Sequence, residues 1–134
     1  MALYYPSFVT HLIAVAMPYI PPTASYIDSE NLLKAVPTLG YWRQYTSGTI
    51  ESQTRNKEEL RAFLNAEYCG ATDDGKLAFD PTTGVNFDLA RHLSPSPLMS
   101  EMDMEYYVDE YNRQGLRGPC KLAFIRDIPQ RKQY

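Results

Sequence analysis

Apolar side chains recur at helical spacing in two stretches of the chain. In the first stretch they are Leu60, Phe63, Leu64 and Tyr68, which lie three or four residues apart and therefore share one face of a helix. Asn56, with Glu59 three residues later, is typical of a helix N-terminus, and Gly70 is typical of a helix end. This pattern predicts a helix over residues 56–70.

The second stretch lies closer to the C-terminus of the sequence. Met104, Tyr107, Val108 and Tyr111 fall on one helical face, while acidic residues occupy the other faces. Ser100 with Asp103 three residues later predicts the start of this helix, and Gly115 predicts its end. We therefore expect an amphipathic helix over residues 100–115.

Weaker signals predict shorter elements in the rest of the chain. Asp28 is a suitable N-cap for a short helix that runs to Val36 and is stopped by Pro37. Three further predictions are a short helix carrying residues 41–45 that ends at a Ser47-Gly48 turn, little regular structure over the turn-rich residues 71–86, and a helical turn over residues 87–93.

The N-terminal segment has a different character. Residues 11–17 form an apolar run that is rich in β-branched side chains and lacks a helical period, and a proline-rich linker follows at residues 18–22. The run predicts a buried strand, or an extra helix if no strand partner exists. It is too short to span a bilayer and no cationic segment precedes it, so we expect no membrane insertion and a cytoplasmic protein.

Composition narrows the possible partners. The 134 residues carry 13 Lys and Arg against 16 Asp and Glu, a formal charge of −3, and no basic block suggests nucleic-acid binding. Cys69 and Cys120 are far apart and have no metal-ligand spacing, so neither a zinc site nor a disulfide framework is expected. No cofactor is predicted. Eleven tyrosines favour either the lining of a cavity or a packing surface for another domain.

Several short motifs occur in an order typical of a known family. They are Pro37-x-x-Gly40-Tyr41, Thr46-Ser47-Gly48, the helix at 56–70, Asp74-Gly75, Phe79-Asp80, Gly84-Val85-x-Phe87-Asp88, and the helix and glycine corner at 98–118. Together, residues 26–119 resemble the helical lid of fungal-type α/β-hydrolase-fold epoxide hydrolase-like proteins. Residues 4–22 resemble the core strand and Pro-Pro exit that precede that lid.

The resemblance implies a mostly α-helical, lid-derived domain of four or five helices. It divides the chain into a core-strand-like segment with its proline linker (1–22), a lid-like domain (23–125) and a polar tail (126–134). These 134 residues contain no match to the family's nucleophile elbow, oxyanion motif or C-terminal histidine. An uncovered lid face is apolar, so we expect a homodimer in which that face, or the N-terminal segments, pack together.

The resemblance also implies candidate site residues. In the family the lid supplies two tyrosines that donate hydrogen bonds to the epoxide oxygen, and Tyr41 matches the first. Ala123 stands at the spacing of the second, with Phe124 one step beyond, so that donor is absent. Trp42, Tyr45, Tyr107 and Tyr111 are the candidate substrate-binding residues, although helical packing alone would also explain the last two.

A catalytic base is harder to predict. Asp109 and Glu110 are carboxylate candidates and His11 and His92 are imidazole candidates, but a solvated charged face or a structural histidine explains each of them better. The expected function is a lid-only protein that binds a hydrophobic small molecule and opens or cyclises an epoxide in specialised metabolism. The alternative is a non-catalytic remnant of a hydrolase that serves as a binding or scaffold module.

Overall fold

The computed structural model describes residues 27–121 together with Ser7, Thr10, His11 and Ile13. The predicted N-terminal strand or helix, the proline linker and the polar tail therefore lie outside the described residues, apart from those four isolated positions. Among the four, the side chain of Ile13 is exposed.

The described part of the chain is mostly helical. Its elements are α1 (Ser29–Ala35), a 3₁₀ helix (Pro37–Leu39), α2 (Trp42–Thr46), α3 (Thr49–Gln53), α4 (Lys57–Glu67), β1 (Phe79–Asp80), β2 (Gly84–Val85), α5 (Phe87–Ala90), α6 (Glu101–Gln114) and α7 (Arg117–Lys121). The described residues form seven α-helices, where four or five were predicted. The two additional helices are α3 and α7, which have five residues each and are too short to show a periodic pattern.

Both long helices begin where the sequence predicts, and α6 also ends there, whereas α4 ends at Glu67 with Tyr68 as its C-cap, before the predicted Gly70. At the start of α4, the Asn56 side chain accepts a hydrogen bond from the N–H of Glu59 at 2.9 Å. At the start of α6, Ser100 and Asp103 form a reciprocal capping box, with each side chain accepting from the other residue's N–H at 3.2 Å. Gly115 ends α6 with a φ of 75°, a left-handed value that glycine adopts without strain.

A small hairpin occupies part of the segment for which little regular structure was predicted. Strands β1 and β2 pair antiparallel, with Phe79 opposite Val85. The side-chain amide of Gln44, on α2, donates to the Val85 carbonyl and accepts from the Val85 N–H, both at 2.8 Å. A neighbouring β-strand would make the same kind of bonds with the Val85 backbone. The Gln44 side chain makes them instead and so attaches the hairpin to α2.

The core lies where α4 packs on α6, with α3, α5, α7 and the hairpin around it. Its two most completely buried large side chains are Ile50 of α3 and Val108 of α6. Met104 is also buried, so the predicted apolar face of α6 is confirmed along its inner side. In the described ranges no helix combines the length and apolar character that crossing a membrane requires.

Candidate functional site

Three of the five predicted site residues lie together at the start of α2. The ring of Tyr41 meets the rings of Tyr45 and Phe79 edge to face, with centroids 5.2 Å and 5.5 Å apart, and Trp42 at 6.5 Å. The N–H of Tyr41 donates to the Pro81 carbonyl at 3.1 Å. Helix α2 and the hairpin turn thus hold Tyr41 in an aromatic cluster.

Beside this cluster is a groove of about 360 Å³, bounded by α2, α4, α6 and α7. Its lining is Tyr45, Phe63, Leu64, Glu67, Tyr68, Tyr111, Leu116, Pro119 and Cys120; we call it the Glu67 groove. Tyr45 and Tyr111 are therefore the predicted site residues that line it. Tyr41 lies behind Tyr45, whereas Trp42 and Tyr107 are not part of the lining.

Tyr107 lies outside the Glu67 groove, at its rim. Its ring stacks on Tyr111 and is tilted against Tyr68, with both centroids 6.2 Å away. It also meets the exposed ring of Tyr106 edge to face at 5.8 Å. A row of tyrosine rings thus continues from the groove onto the surface of α6.

Glu67 is the polar residue that the sequence analysis missed. It follows Phe63 by four residues and Leu64 by three, so it falls on the buried face of α4. Its Oε1 is buried and has no hydrogen-bond partner among the described residues, and the Tyr45 hydroxyl is close enough to the carboxyl group for each to affect the pKa of the other. The sequence did contain a signal for this residue. Glu67 stands at a position of the helical pattern that is otherwise apolar, and a carboxylate there departs from the amphipathic pattern.

Burial governs the acid–base behaviour of the Glu67 groove. Desolvation raises the pKa of Glu67, and the hydrogen bond from Tyr45 lowers it by a smaller amount. The pKa of Tyr45 is also raised, first by burial and then by the neighbouring Glu67. Both residues therefore favour their neutral, protonated forms more strongly than they would in water.

Cys120 lies at the end of the groove formed by α7. Burial raises the pKa of its thiol to about 11, and the nearby carboxylates of Glu51 and Glu67 contribute to the rise. The thiol is therefore protonated near neutral pH and is a poor nucleophile. Cys69, by contrast, is exposed, so only one of the two cysteines is a core thiol.

The other acid and base candidates lie on the surface. Asp109 forms an ion pair with Lys57 at 2.6 Å, and Glu110 forms one with Arg113 at 2.5 Å. His11 and His92 are exposed. Asp109 and Glu110 therefore belong to the solvated side of α6, as its amphipathic pattern favours, and the two histidines are surface residues.

A second hollow, of about 450 Å³, lies on another side of α4 and contains none of the predicted site residues. Arg61 lines it, but its guanidinium already pairs with Glu101 at 2.8 Å and with Glu105. Because these two carboxylates neutralise the charge of Arg61, the hollow would attract an anion only weakly.

Comparison with known proteins places this geometry in context. No protein-family model matches the chain. It is 39% identical over 132 residues to epoxide hydrolase srdG of Neurospora crassa, a match that covers 96% of this chain and 39% of that protein. It is also similar to the bifunctional epoxide hydrolase 2 of Mus musculus (23% over 123 residues, 22% of that protein) and of Sus scrofa (25% over 137 residues, 24% of that protein).

The chain is thus similar in sequence, along nearly its whole length, to a part of proteins that are named epoxide hydrolase. The chain spans about two fifths of the fungal relative and less than a quarter of the mammalian ones. Since these relatives carry enzyme names, the similarity does not favour a non-catalytic scaffold.

Proposed function

We propose that these residues act as the lid of an epoxide-hydrolase-like site and bind a hydrophobic small molecule in the Glu67 groove. The similarity to epoxide hydrolase srdG over 96% of the chain is the observation that carries the proposal. The proposal concerns what these residues contribute, in this chain or in any longer protein that contains them.

The size and lining of the Glu67 groove support a small apolar ligand. Its volume of about 360 Å³ is at the lower end of the range for small-molecule sites, roughly 300–1,000 Å³. Most of its lining is aromatic or aliphatic, and no Lys, Arg or His of the described residues contributes to it. A neutral ligand with few polar atoms matches such a surface.

Tyr41 is the proposed donor to an epoxide oxygen. As a ring C–O bond breaks, the oxygen gains negative charge, and a phenol O–H beside it stabilises that charge by hydrogen bonding and then by proton transfer. Tyr41 packs against Tyr45, which lines the groove, so the donor role requires a ligand that extends past Tyr45 to the Tyr41 hydroxyl. The attacking oxygen would come from water or from a hydroxyl of the ligand, and ring opening of this kind would suit a role in specialised metabolism.

Replacing Tyr41 by phenylalanine should test this role. We expect binding of lipophilic epoxides to persist while stereoselective ring opening falls by about 10²- to 10³-fold, the usual cost of removing one donor to a developing oxyanion. Turnover would be followed by chiral chromatography on a panel of mono- and bis-epoxides. Tyr106→Phe is the matched control, since that tyrosine is exposed on α6.

Two results would change the proposal. Equal turnover by Tyr41→Phe and the unchanged protein would remove Tyr41 from the chemistry. Binding without ring opening in either protein would restrict the proposal to ligand binding by this chain.

The homodimer stays a prediction, and we propose the outer side of α6 as its interface. Met102 and Tyr106 are 79% and 64% exposed there, and Tyr107 is adjacent. Light scattering at micromolar concentration should give the mass of two chains, and Tyr106→Glu should shift it towards one because it places two like charges in the interface. A stable monomer for the unchanged protein would contradict the prediction.

A further inference from the structure

The Glu67 groove has a single ionisable carboxyl group in its lining. The other polar groups there are the hydroxyls of Tyr45, Tyr68 and Tyr111 and the thiol of Cys120. The described residues place no cationic side chain in the lining that would hold Glu67 in its ionised form. A carboxylate in such a place would be buried without a counter-ion, which is energetically expensive.

The groups that face Glu67 come from each neighbouring element. Tyr45 reaches it from α2, Tyr68 follows it in the chain, Tyr111 lies on α6 and Cys120 on α7. Behind Cys120, on α3, Glu51 has its own buried Oε2, also without a partner among the described residues. Every one of these groups is neutral or acidic, so together they favour a neutral Glu67.

We propose that Glu67, steadied by Tyr45, is the recognition group of this groove: its neutral carboxyl group donates a hydrogen bond to an oxygen atom of an uncharged, lipophilic ligand. This proposal depends on the proposed function, because it assumes that the groove binds a small molecule. It names the ligand class as epoxides, ethers and ketones with apolar substituents. Lipophilic carboxylates fit this groove poorly, because its lining offers no cationic side chain of the described residues to balance their charge.

The arrangement of the carboxyl oxygens supports this assignment. One oxygen can accept the Tyr45 hydroxyl as a carbonyl does, which leaves the protonated oxygen free to donate. Oε1 is buried and lacks a partner within the described structure, so the carboxyl group is not fully satisfied by the protein. A carboxyl group that pairs with a ligand oxygen costs far less to bury than one left unpaired.

The proposal fixes the sign of a pH effect. The neutral donor is present below the pKa of Glu67, which burial raises above its usual range. Affinity for an oxygen-bearing ligand should therefore be highest at low pH and should fall as pH rises through that pKa. An apolar ligand of the same shape accepts no hydrogen bond, so its affinity should stay nearly constant.

A matched pair of probes tests this directly. 1,2-Epoxyoctane and hexylcyclopropane share a three-membered ring and a hexyl chain. They differ in one ring member, which is oxygen in the epoxide and a methylene group in the hydrocarbon. Their affinities for the whole chain would be measured by displacement of a fluorescent apolar dye, from about pH 5 to about pH 8.5. We expect the epoxide to bind roughly three- to tenfold more tightly at the acidic end, the effect of one hydrogen bond, and the hydrocarbon to show no such change.

Substitution of Glu67 then assigns the effect to this residue. Glu67→Gln keeps an N–H donor and cannot titrate, so it should bind the epoxide at every pH about as well as the unchanged protein does at low pH. Glu67→Leu should lose the preference for epoxide over hydrocarbon. Glu58→Gln, an exposed change on the same helix, should leave the pH profile of the unchanged protein intact.

The outcomes separate this proposal from the proposed function. If both probes bind equally and independently of pH, the groove takes hydrophobic ligands but Glu67 does not recognise oxygen, and only this proposal fails. If the pH effect persists in Glu67→Gln, another group causes it, and the assignment to Glu67 is overturned. If neither probe binds at any pH, the small-molecule role of the groove fails as well.

Discussion

Replacing Phe63 by alanine is expected to lower the free energy of unfolding by about 3–5 kcal/mol, the usual cost of removing a buried aromatic ring. Phe63 is 5% exposed on the inner face of α4. Its ring stacks on Phe87 at 6.2 Å and meets Tyr45 edge to face at 6.4 Å. It therefore links the core to the Glu67 groove, and urea denaturation would measure its contribution.

Phe63→Leu is the matched control for this change. Leucine refills much of the vacated volume, so the loss should be well below that of alanine, by an amount that depends on how far neighbouring side chains repack. A loss below about 1 kcal/mol for Phe63→Ala would mean that the ring is not a core residue. That result would also mean that Phe63 does not separate the Glu67 groove from the core.

Replacing Gly40 by alanine is expected to destabilise the protein by about 1–3 kcal/mol or more, as overpacking does. A Cβ at this position would lie 2.0 Å from the carbonyl oxygen of Thr82 and 2.8 Å from its carbonyl carbon. Both are backbone atoms in the hairpin turn, so they cannot rotate away as a flexible side chain would. The turn would have to move, and it also holds the N–H of Tyr41 through Pro81.

Gly118→Ala provides the comparison for this prediction. A Cβ there would meet no atom within 4 Å, and Gly118 lies within α7, so the change should be neutral or stabilise by up to about 1 kcal/mol. Thermal unfolding of both variants would show the difference. Equal stability of the two would contradict the close packing of Gly40 on the hairpin.

The sequence predicted the long helices well because their signals are local. The caps at Asp28, Asn56 and Ser100 each depend on a side chain and an N–H only three residues apart. Such interactions are written directly into neighbouring residues and need no tertiary contact. The glycine at 115 is equally local, since its φ is one that other residues adopt only at a cost.

Other elements could not be predicted because their stability comes from distant contacts. Helix α3 has five residues and is held by the complete burial of Ile50, whose partners come from other elements. The hairpin of two-residue strands depends on the Gln44 amide, 41 residues before Val85. Elements this short show too little periodicity to be recognised in a sequence. No local sequence pattern predicts that a distant side chain will hydrogen-bond the backbone of a strand as a neighbouring strand would.

For the candidate site, the sequence determined which aromatic residues were available and placed Tyr41, Trp42 and Tyr45 on one helix. Only the tertiary structure decided that Tyr45 and Tyr111 line one groove, that Tyr107 remains at its rim, and that Glu67 is its carboxyl group. The reason is physical. Helix caps and periodicity are properties of neighbouring residues, whereas burial, which raises the pKa of Glu67, arises only when α2, α4, α6 and α7 pack together.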